Sequence, residues 1–122
     1  MKLEDILKPN LIIPSLEAKT KSALLSEMAE FTADALPELE TPSSIIIDYL
    51  QQRESLGSTG IGAGVAIPHA KVPGLDRLVA CFGRSRDGID YSAIDSHPVH
   101  LIFMLLIPEN SAGTHLKALA RI

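Results

Sequence analysis

Tryptophan is absent from these 122 residues, aromatic side chains make up only 4%, and there is a single cysteine. So few flat rings leave no stacking platform of the kind that single-stranded nucleic-acid binders use. One cysteine excludes an intrachain disulfide. The neighbours of Cys81, Ala80 and Phe82, mark it as a small buried hydrophobe rather than a reactive thiol. An excess of positive charge is missing too: 11 Lys plus Arg against 15 Asp plus Glu give a net charge of −4, with no basic block, which speaks against nucleic acid as a direct partner. The longest apolar run, residues 101–107, falls far short of the about 20 residues that cross a membrane as a helix. At the start of the chain, Met1-Lys2-Leu3-Glu4-Asp5 mixes acid with base and leads into no apolar stretch of signal-peptide length. The expectation is a cytoplasmic protein that is not embedded in a membrane.

What is present is ordinary for a globular protein: 46% hydrophobic residues, 21% charged, eight glycines and eight prolines. A chain of this size buries roughly two-thirds of the surface it exposes when unfolded, so one domain over residues 1–122 is expected, without repeats or linkers. Between Leu16 and Leu36 the apolar residues Leu24, Met28, Phe31 and Ala35 recur at helical steps until Pro37. Thr41 and Pro42 read as an N-cap and first-turn proline for a second helix that carries Ile46 and Leu50 and ends near Glu54, with Gly57 suited to a left-handed helix end. Residues 57–64 are too rich in glycine for a helix or a regular strand. A short strand is expected at Val65 to Ile67, and central strands at Leu78 to Phe82 and Val99 to Ile107. Turn signals lie at Asp87-Gly88 and at Asp95-Ser96-His97-Pro98. After Pro108 the pattern is helical again, with Leu116, Leu119 and Ile122 on one face, and it is still running at the last residue. Helices first, then strands between turns, predict an α/β or α+β layer fold in which helices cover a mixed sheet. The uncapped last helix reads as a truncated C-terminus, and apolar surface left bare by it would favour a homodimer.

The stretch richest in chemistry is Gly60-Ile61-Gly62-Ala63-Gly64-Val65-Ala66-Ile67-Pro68-His69. Glycines let successive N–H groups converge on an anion, and Pro68 restricts the backbone before a histidine placed at a strand tip. A neutral imidazole is a good nucleophile near pH 7. Arg53 can pair with phosphoryl oxygens, Ser58 and Thr59 can donate hydrogen bonds, and His115 can lie beside His69. On composition and spacing alone, however, a Pro-His pair after a glycine loop is more often a turn or a satisfied surface histidine. The loop also matches neither nucleotide motif: Gly60-x-Gly62 lacks a third glycine, and no Gly-Lys-Ser/Thr follows. His97 and His100 with Asp95 nearby form a weak metal pattern, because Pro98 disfavours a helix and strand positions three apart point to opposite faces. No Gly-x-Ser-x-Gly elbow is present to suggest a serine hydrolase.

Taken together, Arg53-Glu54-Ser55-Leu56-Gly57-Ser58-Thr59-Gly60-Ile61-Gly62, then Val65-Ala66-Ile67-Pro68-His69, then Asp95 with Pro98-Val99-His100-Leu101-Ile102-Phe103, and finally Pro108 and His115-Leu116, resemble the enzyme IIA domains of the bacterial phosphoenolpyruvate-dependent phosphotransferase system. The resemblance covers essentially the whole chain and falls in the fructose, mannitol and nitrogen-regulatory class, most like the nitrogen-regulatory members. It implies a mixed β-sheet flanked by helices on both sides. It further implies that His69 accepts a phosphoryl group from a histidine-containing phosphocarrier protein, with Arg53 and His115 beside it and Ser58, Thr59 and Asp95 as supporting candidates. An apolar rim of Ile61, Val65 and Ile67 is expected to exclude water. In-line transfer between two histidines needs neither a metal nor a cofactor. The output would be phosphorylation-dependent binding of regulatory target proteins or, in the sugar-transport branches, transfer to a sugar permease component.

Overall fold

The protein is described from a computed structural model, which covers residues 8–91, 93 and 95–109. The chain enters through a 3-10 turn at Pro9–Leu11 and strand β1 (Ile12–Ile13), then forms helices α1 (Lys21–Ala35) and α2 (Ser43–Ser55). Strands β2 (Gly60–Gly62), β3 (Val65–Ala66), β4 (His69–Val72), β5 (Val79–Ile89) and β6 (Val99–Pro108) follow. The helix expected after Pro108, its apolar face and His115 lie outside the described residues.

Helix α1 starts later than the apolar spacing suggests, because Thr20 caps it: its hydroxyl accepts the Ala23 N–H at 3.2 Å. Residues 16–19 run ahead outside any helix or strand, tied back by Glu27, whose carboxylate accepts the Glu17 and Ala18 N–H groups. Leu24, Leu25, Met28 and Ala29 are fully buried along one face. The start of α2 corrects the expected cap. Pro42 itself occupies the N-cap position with no side-chain cap, while the Thr41 hydroxyl donates to the Pro73 carbonyl at 3.0 Å and pins a distant loop instead. Past its end, Gly57 has φ +154°, positive but outside the left-handed helical region expected of it.

The sheet runs β1-β5-β6-β3-β2 and is mixed. β5 and β6 form its antiparallel centre, β1 is parallel to β5, and the far edge of β6 is shared end to end by two short parallel strands. β3 takes Leu101 and Ile102, and β4 takes Leu105 to Pro108. Pro68 sits at the break between them, where a missing N–H interrupts no ladder and its carbonyl still accepts from Leu105 at 2.9 Å.

Two expectations are corrected here. The Asp87-Gly88 signal does not reverse the chain, since β5 continues to Ile89 through an irregularity between Arg84 and Ile89. Gly88 provides the local positive φ, +85°, and its N–H is held by the Ser85 hydroxyl at 3.1 Å, which makes it a bulge within a paired strand. Part of the glycine stretch, in turn, is a strand. Gly60–Gly62 pairs antiparallel with Val65–Ala66 across Ala63 and Gly64, both at positive φ (+56° and +78°), as a two-residue hairpin demands. Gly60 is required by space, because a Cβ there would lie 2.7 Å from the Ala93 Cβ.

Alternation along β5 and β6 divides the core in two. Val79, Cys81, Ile102, Met104 and Leu106 join Leu24, Leu25, Met28, Ile46 and Leu50 in the cluster under both helices. Ala80, Leu105 and Ile107 point the other way and bury with Ile67 in a second cluster, edged by Val65, Leu78 and Phe103. No described helix is long and apolar enough to cross a membrane.

Candidate functional site

Period two along β4 decides what its side chains meet. Ala70 and Val72 are buried in the cluster under the helices, so His69 and Lys71 emerge on the opposite face, in register with Leu105 and Ile107. Helix α2 approaches this edge with residues 49, 52, 53 and 56, one stripe at helical spacing. Between stripe and strand lies a pocket of about 350 Å³ lined by Tyr49, Gln52, Arg53, Leu56, His69, Ala70, Lys71 and Ile107. No Asp or Glu is among these residues, whereas two cationic side chains are.

His69 is half-buried, and its Nδ1 lies 2.8 Å from the Ile67 carbonyl oxygen. A carbonyl only accepts, so this contact calls for a proton on Nδ1, and in the neutral imidazole the lone pair then belongs to Nε2. Arg53 donates one Nη1 hydrogen bond to the Gly57 carbonyl at 2.8 Å. That bond fixes the guanidinium at the mouth of the pocket while its other donors remain for an anion. The structure therefore brings His69 and Arg53 into one pocket, as the sequence suggests, and begins β4 at His69 rather than ending a strand there. His115 lies outside the described residues.

The glycine loop turns out differently. Three of its N–H groups are already taken by the chain's own oxygens: Thr59 N–H by Glu54, Gly60 N–H by Ser58, and Ala63 N–H by Asp95 at 3.0 Å. The candidate hydroxyls are likewise committed, Ser58 to the Tyr91 carbonyl and Thr59 to the Glu54 carboxylate, and neither lines the His69 pocket. Glu54 is the hub. Its side chain, 6% exposed, also accepts from the Tyr91 hydroxyl and from Lys21 Nζ, each at 3.0 Å, and Lys21 sits over the Tyr91 ring. Burial, together with the neighbouring carboxylate, pushes the Tyr91 hydroxyl far above its ordinary pKa. Asp95 accepts His97 N–H and Ala63 N–H, in that order of effect, and these bonds hold its carboxyl below the ordinary value. It anchors the hairpin and the turn at residues 95–98 that the sequence predicts.

The expected apolar rim is also corrected. None of the three lines the pocket: Ile61 lies on β2, and Val65 and Ile67 belong to the second core cluster. Tyr49, Leu56 and Ile107 supply the apolar walls of the pocket instead, because they come from α2 and β6, which no local spacing around His69 reveals. His100 Nδ1 faces the Ser85 carbonyl at 2.9 Å, while His97 sits in the Asp95 turn. Among the described residues no three metal-ligating side chains cluster. Cys81 is fully buried, and burial pushes its thiol up to about 11, keeping it protonated and inert. Sequence reasoning missed Lys71, although its signal was available: once a strand starts at His69, position 71 must share its face.

Comparison with known proteins extends the likeness beyond the pocket. Residues 5–122 match the family model described as phosphoenolpyruvate-dependent sugar phosphotransferase system, EIIA 2. A nitrogen regulatory protein of Bradyrhizobium diazoefficiens is 41% identical over 122 residues, covering 100% of this chain and 78% of that protein. The fructose-specific EIIABC component of Bacillus subtilis is 39% identical over 124 residues, covering 100% of this chain but 19% of that much longer protein. The crystal structure of the nitrogen regulatory protein IIA-Ntr from Neisseria meningitidis superposes with a TM-score of 0.87 at 37% identity, over 96% of this chain and 78% of that one. IIA mannitol from Escherichia coli shares the fold, with a TM-score of 0.75 over 93% of this chain and 80% of that one, at 16% identity. With the mixed six-stranded sheet, the family match over nearly its whole length and relatives of this identity, the chain belongs to the type 2 EIIA family of the phosphoenolpyruvate-dependent sugar phosphotransferase system.

Proposed function

We propose that this chain is a phosphoryl carrier that accepts a phosphoryl group on Nε2 of His69 from a histidine-containing phosphocarrier protein. The observation that carries the reading is the Nδ1–Ile67 carbonyl contact in a pocket lined by two cations and no described carboxylate. In the transfer, the Nε2 lone pair of His69 forms the new N–P bond as the bond to the donor histidine breaks. The donor imidazole takes back its electron pair, and the proton on Nδ1 of His69 stays in place. The chain supplies position and charge rather than a separate base. Arg53 stabilises the three phosphoryl oxygens, and the walls made by Tyr49, Leu56 and Ile107 limit water while the partner docks. His115 is proposed as a further hydrogen-bonding group, from the family resemblance alone.

Within this reading the chain, one unit over residues 1–122 acting in the cytoplasm, is a nitrogen-regulatory EIIA whose phosphorylation state controls binding to target proteins. Its 41% identity to a nitrogen regulatory protein supports that branch. The 39% identity to a fructose-specific component supports the alternative, onward transfer to a sugar permease component. The test is intact-mass spectrometry under alkaline conditions after incubation with phosphoenolpyruvate, enzyme I and the phosphocarrier protein. One phosphoryl gain in the parent and none in His69→Ala is expected, and equal gain in both would overturn the assignment. A fructose permease component that removes the group would decide for the transport branch.

A further inference from the structure

The pocket contains one cation to which neither the resemblance nor the reading above gives a role. Lys71 shares the face of β4 with His69, one pleat further on, and lines the same pocket as Arg53. Its ammonium is exposed, and among the described residues no carboxylate lies within ion-pair distance of it. The contrast with the other lysines near the helices is informative: Lys19 is paired with Asp87 at 2.8 Å and Lys21 with Glu54 at 3.0 Å. In a chain with a net charge of −4, a pocket whose described lining holds Arg53 and Lys71 and no acid is made for an anion.

We propose that Lys71 is a second cationic ligand of the phosphoryl group on His69, holding it from the strand side while Arg53 holds it from the helix side. This rests on the carrier reading above. The flexible four-carbon stem and three rotatable donors of lysine allow it to follow a group that moves between two histidines, whereas the guanidinium of Arg53 is anchored through Gly57. A cation at that position favours the doubly charged phosphoryl form over the singly charged one, and so lowers the pH at which the group loses its last proton.

The test is a 31P NMR pH titration of the phosphorylated chain together with the transfer rate from the phosphorylated phosphocarrier protein. Parent, Lys71→Gln and Lys71→Arg are compared. Side chain 71 is exposed between the buried anchors Ala70 and Val72, so both variants keep the strand, which circular dichroism verifies. Lys71→Gln is expected to raise the phosphoryl midpoint by roughly half a unit and slow transfer several-fold, with Lys71→Arg restoring most of both. Coincident midpoints for parent and Lys71→Gln would overturn the proposal, even if transfer slows, because slowing alone means that Lys71 only steers the donor. A parent that gains no phosphoryl group on His69 removes the carrier reading and this proposal with it. A parent that does gain it, with unchanged midpoints in Lys71→Gln, removes Lys71 alone.

Discussion

The glycine hairpin and the edge of β4 lie a few residues apart and both look like anion sites in the sequence, yet they are wired in opposite ways. The hairpin supplies amides but meets them with its own anions and hydroxyls: Glu54, Ser58 and Asp95 occupy Thr59, Gly60 and Ala63 N–H. The β4 edge is poor in glycine and rich in uncommitted charge, with Arg53 and Lys71 around His69 and no described carboxylate. A run of glycines therefore says that backbone comes close to something. Which partner it approaches depends on carboxylates brought in from elsewhere. Here the hairpin is closed by the chain's own groups, while the edge presents two cationic side chains and no described carboxylate.

That division can be broken most forcefully at Glu54. Replacing it with alanine leaves Lys21, the Tyr91 hydroxyl and Thr59 without the carboxylate that all three face. Removing one member of a buried charged network costs about 3 kcal/mol, so Glu54→Ala should lower the urea midpoint strongly while the residual folded protein still accepts phosphate on His69. Arg53→Ala should do the reverse. The denaturation midpoint is expected to stay close to that of the parent, and stopped-flow transfer from the phosphocarrier to fall by roughly a hundredfold, as for loss of one donor to a developing anion. An unfolded Arg53→Ala would mean that the Gly57 contact is structural, like the hairpin.

The smallest effect is expected at Asp95. Its folded pKa is depressed below 3.8 by the His97 and Ala63 amides, so its charge stabilises the fold above the unfolded value, and that contribution is lost as pH falls through the lower folded one. Asp95→Asn keeps one of the two acceptor oxygens, removes the charge and turns an NH2 group toward the other amide. Urea midpoints of parent and variant should differ near pH 7, and the gap should narrow as pH falls through the depressed folded pKa of Asp95. A constant gap across that range would show that the charge is not what matters.

Much of this architecture was legible from spacing. The apolar runs at 78–82 and 99–107 are the paired centre of the sheet, and the 24/28 and 46/50 steps mark the buried faces of both helices. Other parts were illegible for identifiable reasons. β4 has four residues, no β-branched run before Val72, and a partner more than thirty positions away, so nothing local announces it. The strand character of Gly60–Gly62 comes from its pairing with Val65–Ala66 and from contact with Ala93, not from propensity. His69 and Arg53 were found because residue type and family resemblance both pointed to them. The second cation was missed because its place follows only from the strand, and the pocket walls were missed because they come from α2 and β6.

The shared edge of β6 has a consequence for how such sequences can drift. β3 is registered on Leu101 and Ile102, and β4 independently on Leu105 to Pro108. A residue gained or lost in the hairpin before Val65 is absorbed on its own side of the proline break, and the histidine stays where it is. One gained between His69 and Val72 would turn either the imidazole or the buried anchors to the wrong face. The upstream loop is thus open to variation in length, while the three steps from His69 to Val72 are closed to it.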